Sequence, residues 1–195
     1  LVKLLNDGNW KAIADARISE NQAQRICEEW NDLKEETELV IFLSKHKLDA
    51  DLAKQIIRLC KFDTVNRLKR NPYALVALSN SNPKSLMAIA EVAKAQKIKA
   101  NDDRALIGCV EFALYQELER GHTTTELDIA AKAIKVWLNM IGSEKSAEMA
   151  IQAALAAKSI CILEEGKNTY LQPISLAYIE QSVEKALTTL HKTPI

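Results

Sequence analysis

At 195 residues, the chain is long enough to form one large domain or two small ones, each with its own hydrophobic core. Hydrophobic residues make up 48% and charged residues 27%, with only five glycines and four prolines, which is typical of a compact helical protein and excludes a disordered or fibrous one. Basic and acidic residues balance at 26 each, so no overall field points to nucleic acid or to a membrane. No run approaches the ~20 apolar residues of a membrane span. Four scattered cysteines without a CxxC pair predict a reducing, cytoplasmic location.

Helical periodicity dominates the first hundred residues. Ser19 and Gln22 match a capping box, which predicts that a helix begins there with a buried face made of Ala23, Ile26, Cys27 and Trp30. The further helices predicted along this block cover 36–46, 49–60, 73–78 and 84–95, with a joint near Lys47–Asp49, a break at Asn71–Pro72 and an SNSNP turn.

A second block begins near Asn101–Asp102, which are good N-cap residues. Its predicted elements are a helix over 104–119 closed by Gly121, a short β-prone stretch at 122–125, helices over 125–140 and 143–158, a β-hairpin around EEGK, and a last helix after Pro173. That order over about 103–172 is the order of a winged helix. We therefore predict a mainly α fold with two domains: helix-hairpin-helix-like repeats over 1–100, then a winged-helix-like unit with one small β-hairpin and a C-terminal helix over 101–195.

Motifs that carry catalysis are absent from the sequence. There is no GxxxxGK[ST] loop for a nucleotide, and GxGxxG, HExxH and GxSxG are missing too. His46, His122 and His191 stand far apart, without the spacing of metal ligands. We therefore expect no catalytic residue, no metal and no cofactor in these residues, and no enzymatic activity from this chain alone.

The N-terminal block repeats a short helix, a tight turn and a second helix. The pattern occurs loosely at ISENQAQRI, KLDADLAKQI and NSNPKSLMAIA. This is the outline of helix-hairpin-helix motifs, whose turn amides and helix N-termini hold DNA phosphates without reading bases. The pattern therefore indicates a backbone-binding DNA module.

Four stretches resemble, in the right order, the N-terminal region of RecD-like DNA helicases (the exodeoxyribonuclease V alpha type, RecD/TraA family). They are LVIFLSKHKLDADLAKQI, the Asn-Pro-Tyr-Ala-Leu run at 71–75, the Gly-His-Thr run at 121–123, and ICILEEGKNTYLQPISLAYIEQSV. The resemblance covers about 10–190. It implies an accessory region placed before the motor of an ATP-dependent helicase that moves 5′ to 3′ along single-stranded DNA in recombination or repair. Plasmid-transfer relaxase-helicases share pieces of this arrangement.

The turns depart from that family in one respect. A helix-hairpin-helix normally has glycine in its turn, so that the backbone can approach a phosphate. Arg17, Lys47 and the stretch Asn80–Ser81–Asn82 stand in those places. Because asparagine tolerates left-handed backbone better than most residues, we expect only the third turn to keep the shape.

Charge is distributed unevenly along the N-terminal block. Residues 45–70 hold eight basic and three acidic residues, a net charge of about +5, whereas 7–38 carry about −5. We expect single-stranded or forked DNA to bind beside the basic segment, with the parent's motor domains as the other partner and no membrane partner. The alternative is a protein-interaction or structural domain that has lost DNA binding, possibly in a plasmid-transfer protein. The residues predicted to contact DNA are Lys45, Lys47, Lys54, Arg58, Lys69, Arg70, Asn80, Asn82 and Lys84.

Overall fold

The chain is mainly helical and carries one small three-stranded antiparallel sheet. Its contacts divide it into two compact units, Leu1–Arg70 and Asn71–Ile195. The domain boundary near residue 100 stays a prediction. No helix in the described part of the chain is both long and apolar enough to cross a bilayer. The computed structural model describes residues 2–14, 18–46, 48, 50–59 and 63–192, and for 50, 51, 53, 54, 57 and 190–192 it describes the backbone alone.

The first unit is built on one long helix. That helix, α3, begins after Ser19 as predicted, because the Gln22 N–H donates to Ser19 Oγ at 3.3 Å while Gln22 Oε1 accepts from the Ser19 N–H at 3.1 Å. The helices of the unit are α1 (Val2–Asn6), α2 (Trp10–Ala14), α3 (Glu20–Lys45), α4 (Ala50–Leu59) and α5 (Thr64–Arg70).

The separate helix predicted over 36–46 is wrong, because α3 runs without a break through that stretch. No glycine or proline interrupts 20–45, so the charged run between the two apolar stretches continues the helix. The predicted buried face is also only partly right: Ala23 and Cys27 are buried, whereas Ile26 is 41% exposed. Periodicity predicted the helix correctly but wrongly included Ile26 in its buried face.

Both halves of α3 contribute to the core of this unit. Leu5, Ile13, Ala23 and Cys27 form a buried cluster of α1, α2 and the start of α3. Trp30 packs against this cluster, and its indole N–H donates to Asn6 Oδ1 at 3.1 Å. The second half of α3 packs against α4 and α5. The long helix is therefore the frame that positions the basic segment.

The second unit starts with a 3₁₀ helix and ends with a long helix. Its central helix, α7, packs against the 3₁₀ helix, α8 and α9. The elements are the 3₁₀ helix Pro72–Leu78, α6 (Pro83–Ala95), α7 (Asp103–Glu119), β1 (Thr125–Glu126), α8 (Leu127–Met140), α9 (Ala147–Ala156), β2 (Ile160–Glu165), β3 (Asn168–Pro173) and α10 (Ile174–Lys192).

The sheet has the strand order β1–β3–β2, with both pairs antiparallel. Gly166 has φ +63° at the first position of the two-residue turn between β2 and β3, a conformation that favours glycine. The predicted hairpin is thus present. Ala147, Ala150 and Ala154 of α9 are buried, so this alanine-rich helix packs closely against its neighbours.

Glu111 on α7 is a half-buried carboxyl group that is hydrogen-bonded to Ser159. Burial raises the pKa of Glu111, while the Ser159 hydrogen bond opposes the rise. The pKa of Glu111 in the folded protein lies above its ordinary value of 4.5. The free energy of unfolding therefore falls as the pH rises from about 4.5 through the pKa of the folded state. We expect Glu111→Gln to raise the free energy of unfolding at neutral pH but not at acidic pH, as measured by urea denaturation. The exposed Glu119→Gln serves as control, and equal gains at both pH values would contradict this.

Candidate nucleic-acid interface

Five basic residues of the 45–70 segment lie in the last turns of three helices. Lys45 is the last residue of α3, Arg58 lies in the last turn of α4, and Arg67, Lys69 and Arg70 lie in the last turn of α5. All five are exposed. Positive charge at a helix C-terminus is favoured by the helix dipole, by about 0.3–1 kcal/mol. This placement stabilises the helices and keeps the five side chains at the surface. We call these five residues the basic surface.

Two residues of this segment that were predicted to contact DNA have side chains outside the described part of the structure. Lys47 lies outside the described residues, and Lys54 lies on α4 with a side chain outside them. Next to Lys45, burial and the lysine charge lower the pKa of His46, whose ring lies 4.6 Å from the Phe42 ring. His46 is therefore neutral at neutral pH and adds no positive charge.

The start of α5 is tied to α3. The Asp63 N–H donates to Glu35 Oε2 at 3.3 Å, and Asn66 Nδ2 donates to Asp63 Oδ1 at 2.7 Å. Asp63 has φ +59°, a left-handed conformation that aspartate tolerates. The residue before α5 is thus hydrogen-bonded to α3, and the three basic residues lie at the other end of the short helix.

The third predicted turn, Ser79–Asn82, joins the 3₁₀ helix to α6. Asn80 and Ser81 have φ +45° and +47°, so asparagine holds the left-handed conformation, as expected, and Ser81 adopts it too. Ser79 Oγ donates to the Val76 carbonyl at 2.7 Å, and the Lys84 N–H donates to Asn82 Oδ1 at 3.0 Å. The turn therefore has left-handed backbone at two residues without any glycine.

Exposure around this turn is graded. Asn80 and Lys84 are exposed, Asn82 is half-buried, and Ser81 is buried. Gln116 of α7 donates a hydrogen bond from Nε2 to the Ser81 carbonyl at 3.4 Å, and this bond ties the turn to α7. An exposed lysine and an amide side chain on a braced turn can contact a phosphate backbone without reading bases. We call Asn80, Asn82 and Lys84 the turn surface.

The Asn-Pro-Tyr run belongs to packing rather than to either surface. Asn71 Oδ1 accepts from the Tyr73 N–H at 3.1 Å and caps the 3₁₀ helix, with Pro72 in its first turn. The Tyr73 ring is buried against Gly108 of α7, where an added Cβ would lie 2.6 Å from Tyr73 Cδ1. This signature therefore fixes the 3₁₀ helix on α7.

Sequence reasoning missed one residue of the basic surface and one residue that supports the turn surface. Arg67 lies in the basic run but was not among the predicted contacts, although it ends α5 together with Lys69. The charge count over 45–70 could have found it. Gln116 lies 35 residues from Ser81 in the chain, so no local pattern points to their contact.

A serine-to-glycine substitution tests the strain in the turn. Ser81→Gly removes the cost of a left-handed non-glycine residue, so we expect the free energy of unfolding to rise by about 0.5–1 kcal/mol. Ser85→Gly is the matched control: Ser85 is also buried, but it lies in the right-handed α6, where glycine costs about 0.5–1 kcal/mol. Thermal unfolding distinguishes the two variants, and a loss of stability in both would contradict the assignment.

Comparison with known families identifies the class of domain that contains these two surfaces. A helix-hairpin-helix domain model matches residues 32–124, which include α4, α5, the Ser79–Asn82 turn and α7. That model describes the HHH domain of the ATP-dependent RecD2 DNA helicase. The resemblance to the N-terminal region of a RecD-like helicase is thereby confirmed. In a RecD2 helicase, the HHH domain is a non-catalytic accessory domain. No curated protein and no solved structure matches the chain.

Proposed function

We propose that this chain binds the sugar–phosphate backbone of single-stranded or forked DNA and guides it for an ATP-dependent, 5′–3′ RecD-like helicase of recombination or repair. The match of 32–124 to a helicase HHH domain is the observation that carries the proposal. An accessory DNA-binding role follows from that class of domain. The direction of movement, the intact motor and the preferred DNA structure are parts of the proposal.

The basic surface is proposed as the main source of affinity. Arg58, Arg67, Lys69 and Arg70 are exposed and lie at helix ends within the matched residues, as does Lys45. Each phosphate neutralised releases a counterion, so binding through these groups weakens as salt increases. Lys47 and Lys54 stay predicted contacts on the grounds of sequence charge.

The turn surface is proposed to orient the strand. The left-handed turn at Asn80 and Ser81 is followed directly by α6, and Lys84 lies in the first turn of that helix. The N-terminus of α6 and a lysine side chain therefore lie next to each other, which supports this role. The Asn82 side chain caps α6 by accepting from the Lys84 N–H, so it is already engaged. The turn therefore contributes its geometry and the Lys84 charge to DNA binding. We expect this surface to contribute less affinity than the basic surface.

Charge reversal tests the proposed interface. Lys45→Glu combined with Lys69→Glu should weaken binding to single-stranded DNA by at least about tenfold, because two phosphate contacts become repulsive. Lys3→Glu combined with Lys34→Glu makes the same change of charge at exposed positions of the same unit outside the surface, and should have a smaller effect. Electrophoretic mobility shift with single-stranded and forked DNA measures both. Equal weakening in the two double variants would reduce the proposal to a non-specific charge effect.

We also propose a winged-helix arrangement for about 103–172. The order α7, β1, α8, α9, β2, β3 and the strand order β1–β3–β2 support it. The helix in the position of a recognition helix, α9, uses Ala147, Ala150, Ile151 and Ala154 for packing, so we assign it no reading of bases. This unit then serves as a scaffold for the turn surface.

A cytoplasmic location is proposed from the cysteines. Cys27 and Cys109 are free and buried, and Cys161 is free and half-buried. Burial raises the pKa of the Cys109 thiol to about 12, so the thiol stays protonated and unreactive. Small buried thiols of this kind suit a reducing compartment.

The second candidate function is docking of a protein, such as the parent's motor domains. The observation that favours it is the exposed apolar side chains of α3, Ile26, Leu33, Val40 and Ile41, which are 41–62% exposed. Size-exclusion chromatography with the parent's motor domains distinguishes the candidates. A stable complex in the absence of any affinity for DNA would favour docking.

A further inference from the structure

Three exposed lysines lie close together where α6 ends. Lys94 is in the last turn of α6, and Lys97 and Lys99 lie in the loop between α6 and α7. Lys94 Nζ approaches Glu91 Oε1 at 4.0 Å, but the two side chains are 80% and 70% exposed, so this ion pair is weak. Neither Lys97 nor Lys99 forms an ion pair with any residue that the structure describes. We call Lys94, Lys97 and Lys99 the lysine cluster.

The backbone of the loop that carries the lysine cluster is held at both ends. The Ile98 N–H donates to the Ala93 carbonyl at 2.9 Å, and the Ile98 side chain is buried. At the other end of the loop, Asn101 Oδ1 accepts from Ser143 Oγ at 2.7 Å. The lysine side chains therefore extend from a backbone that is already ordered, so an anion that binds them does not have to order the loop.

Lys97 adopts a backbone conformation that favours glycine. It directly follows Gln96, the C-cap residue of α6, and has φ +63°. Glycine is the usual residue at this position, because left-handed backbone is unfavourable for a residue with a Cβ atom. Lysine supplies a positive charge that glycine would not, and strain of this kind points to a use for the side chain.

The acidic residues near the lysine cluster have other electrostatic partners. Asp102 caps α7 and accepts from Arg104 Nε at 2.7 Å. Asp103 lies in the first turn of α7, where the helix dipole favours a negative charge. Glu144 donates its backbone N–H to the loop, and Lys145 follows it in the chain. These carboxylates therefore leave the charges of Lys97 and Lys99 largely uncompensated.

The exposed face of α6 joins the lysine cluster to the turn surface. Lys84, Met87, Glu91 and Lys94 are exposed and follow one another at intervals of three and four residues, so they lie on one face of the helix. Residues 84–99 hold four lysines and one glutamate, so their net charge is +3. The 13 residues of α6 span about 20 Å. A polyanion along this face therefore meets positive charge at both ends of the helix.

We propose that the lysine cluster binds phosphates of the DNA strand that the turn surface orients, and thereby extends the interface along α6. This inference rests on the proposed function, because its ligand is the same sugar–phosphate backbone. Lysine side chains on an ordered loop neutralise phosphates without reading bases. Each phosphate contact of the cluster adds to the salt dependence of binding.

Lys97→Gly separates the charge of this residue from its effect on folding. Glycine fits the left-handed backbone, so we expect the midpoint of thermal unfolding to rise by about 2 °C. The variant also loses one phosphate contact. The logarithm of its affinity for a labelled single-stranded oligonucleotide should therefore fall with the logarithm of the salt concentration with a slope shallower by about 0.7. Misfolding does not imitate higher stability combined with a shallower slope, and a wild-type slope would overturn the proposal.

Lys158→Gly is the matched control. Lys158 is exposed, has φ +56° and directly follows Ala157, the C-cap residue of α9. This variant should gain about the same stability as Lys97→Gly and keep the wild-type slope, because Lys158 lies outside the lysine cluster. An equal loss of slope in both variants would show that lysines contribute regardless of position, and this result would also overturn the proposal.

Lysine acetylation gives a second measurement on the wild-type chain. N-hydroxysuccinimide acetate modifies exposed amines, and peptide mass spectrometry follows each lysine. With saturating single-stranded DNA, we expect slower modification of the lysine cluster and an unchanged rate at Lys158. Modification of all three cluster lysines at the same rate with and without DNA would contradict the contact.

Failure of this inference differs from failure of the proposed function. If Lys45→Glu with Lys69→Glu flattens the salt dependence but Lys97→Gly does not, the lysine cluster is excluded and the basic surface is retained. If the wild-type chain shows no salt-sensitive binding, the proposed function fails together with the inference.

Discussion

Gly108→Ala should lower the free energy of unfolding by about 2 kcal/mol, because the added methyl group collides with the Tyr73 ring. An ideal Cβ at Gly108 lies 2.6 Å from Tyr73 Cδ1 and 2.9 Å from Tyr73 Cβ. Alanine would otherwise gain about 1 kcal/mol within a helix, so the measured loss is the collision less that gain. Urea unfolding followed by circular dichroism measures it.

A double-mutant cycle isolates the collision. In a Tyr73→Ala background, the ring that meets the new methyl group is gone, so Gly108→Ala should cost much less or become favourable. The same loss in both backgrounds would show that the packing of the 3₁₀ helix on α7 is not what Gly108 provides. The Asn-Pro-Tyr signature would then need another explanation.

Phe112→Ala should lower the free energy of unfolding by about 3–5 kcal/mol, the range for a fully buried phenylalanine. Phe112 is completely buried on α7, and its ring meets the Trp137 ring edge-on with centroids 4.8 Å apart. Removing the ring also removes part of the packing between α7 and α8. Denaturation monitored by tryptophan fluorescence measures the effect.

Phe112→Leu is the matched control for volume and shape. It keeps most of the buried area, so it should cost less than about half of the alanine variant. If the two variants were equally stable, Phe112 would not be a central packing residue of this unit.

Local signals in the sequence predicted several features correctly. The Ser19 capping box marks the start of α3, Gly166 lies in the turn of the hairpin, and Asn80 adopts left-handed backbone. Each depends on residues within a few positions, where the backbone preference of the side chain decides the conformation. The start of α3, the hairpin turn and the backbone at Asn80 were therefore predictable.

Features that depend on distant partners were not predictable. The close packing of Tyr73 on Gly108 joins residues far apart in sequence, and so does the bond from Gln116 to Ser81. The apolar pattern of α10 predicted a helix but not that Ile179 and Val183 would be exposed, because periodicity identifies a face without naming what covers it.

The candidate interface was also predictable only in part from the sequence. Charge counting identified the 45–70 segment, but only the fold shows that its described basic residues close α3, α4 and α5. The helix dipole explains why lysine and arginine are stable there, whether or not DNA binds. A direct binding measurement is therefore needed to separate the two roles.

Fluorescence anisotropy of labelled single-stranded DNA over a range of salt concentrations tests the central claim most directly. We predict saturable binding in which the logarithm of the affinity falls linearly with the logarithm of the salt concentration. Lys45→Glu and Lys69→Glu together should make that slope shallower by about 0.7 for each phosphate that the protein no longer neutralises. The Lys3→Glu and Lys34→Glu control should keep the wild-type slope. Absence of binding at tens of micromolar protein, or a slope unchanged by the reversals in the basic surface, would contradict a DNA-guiding role.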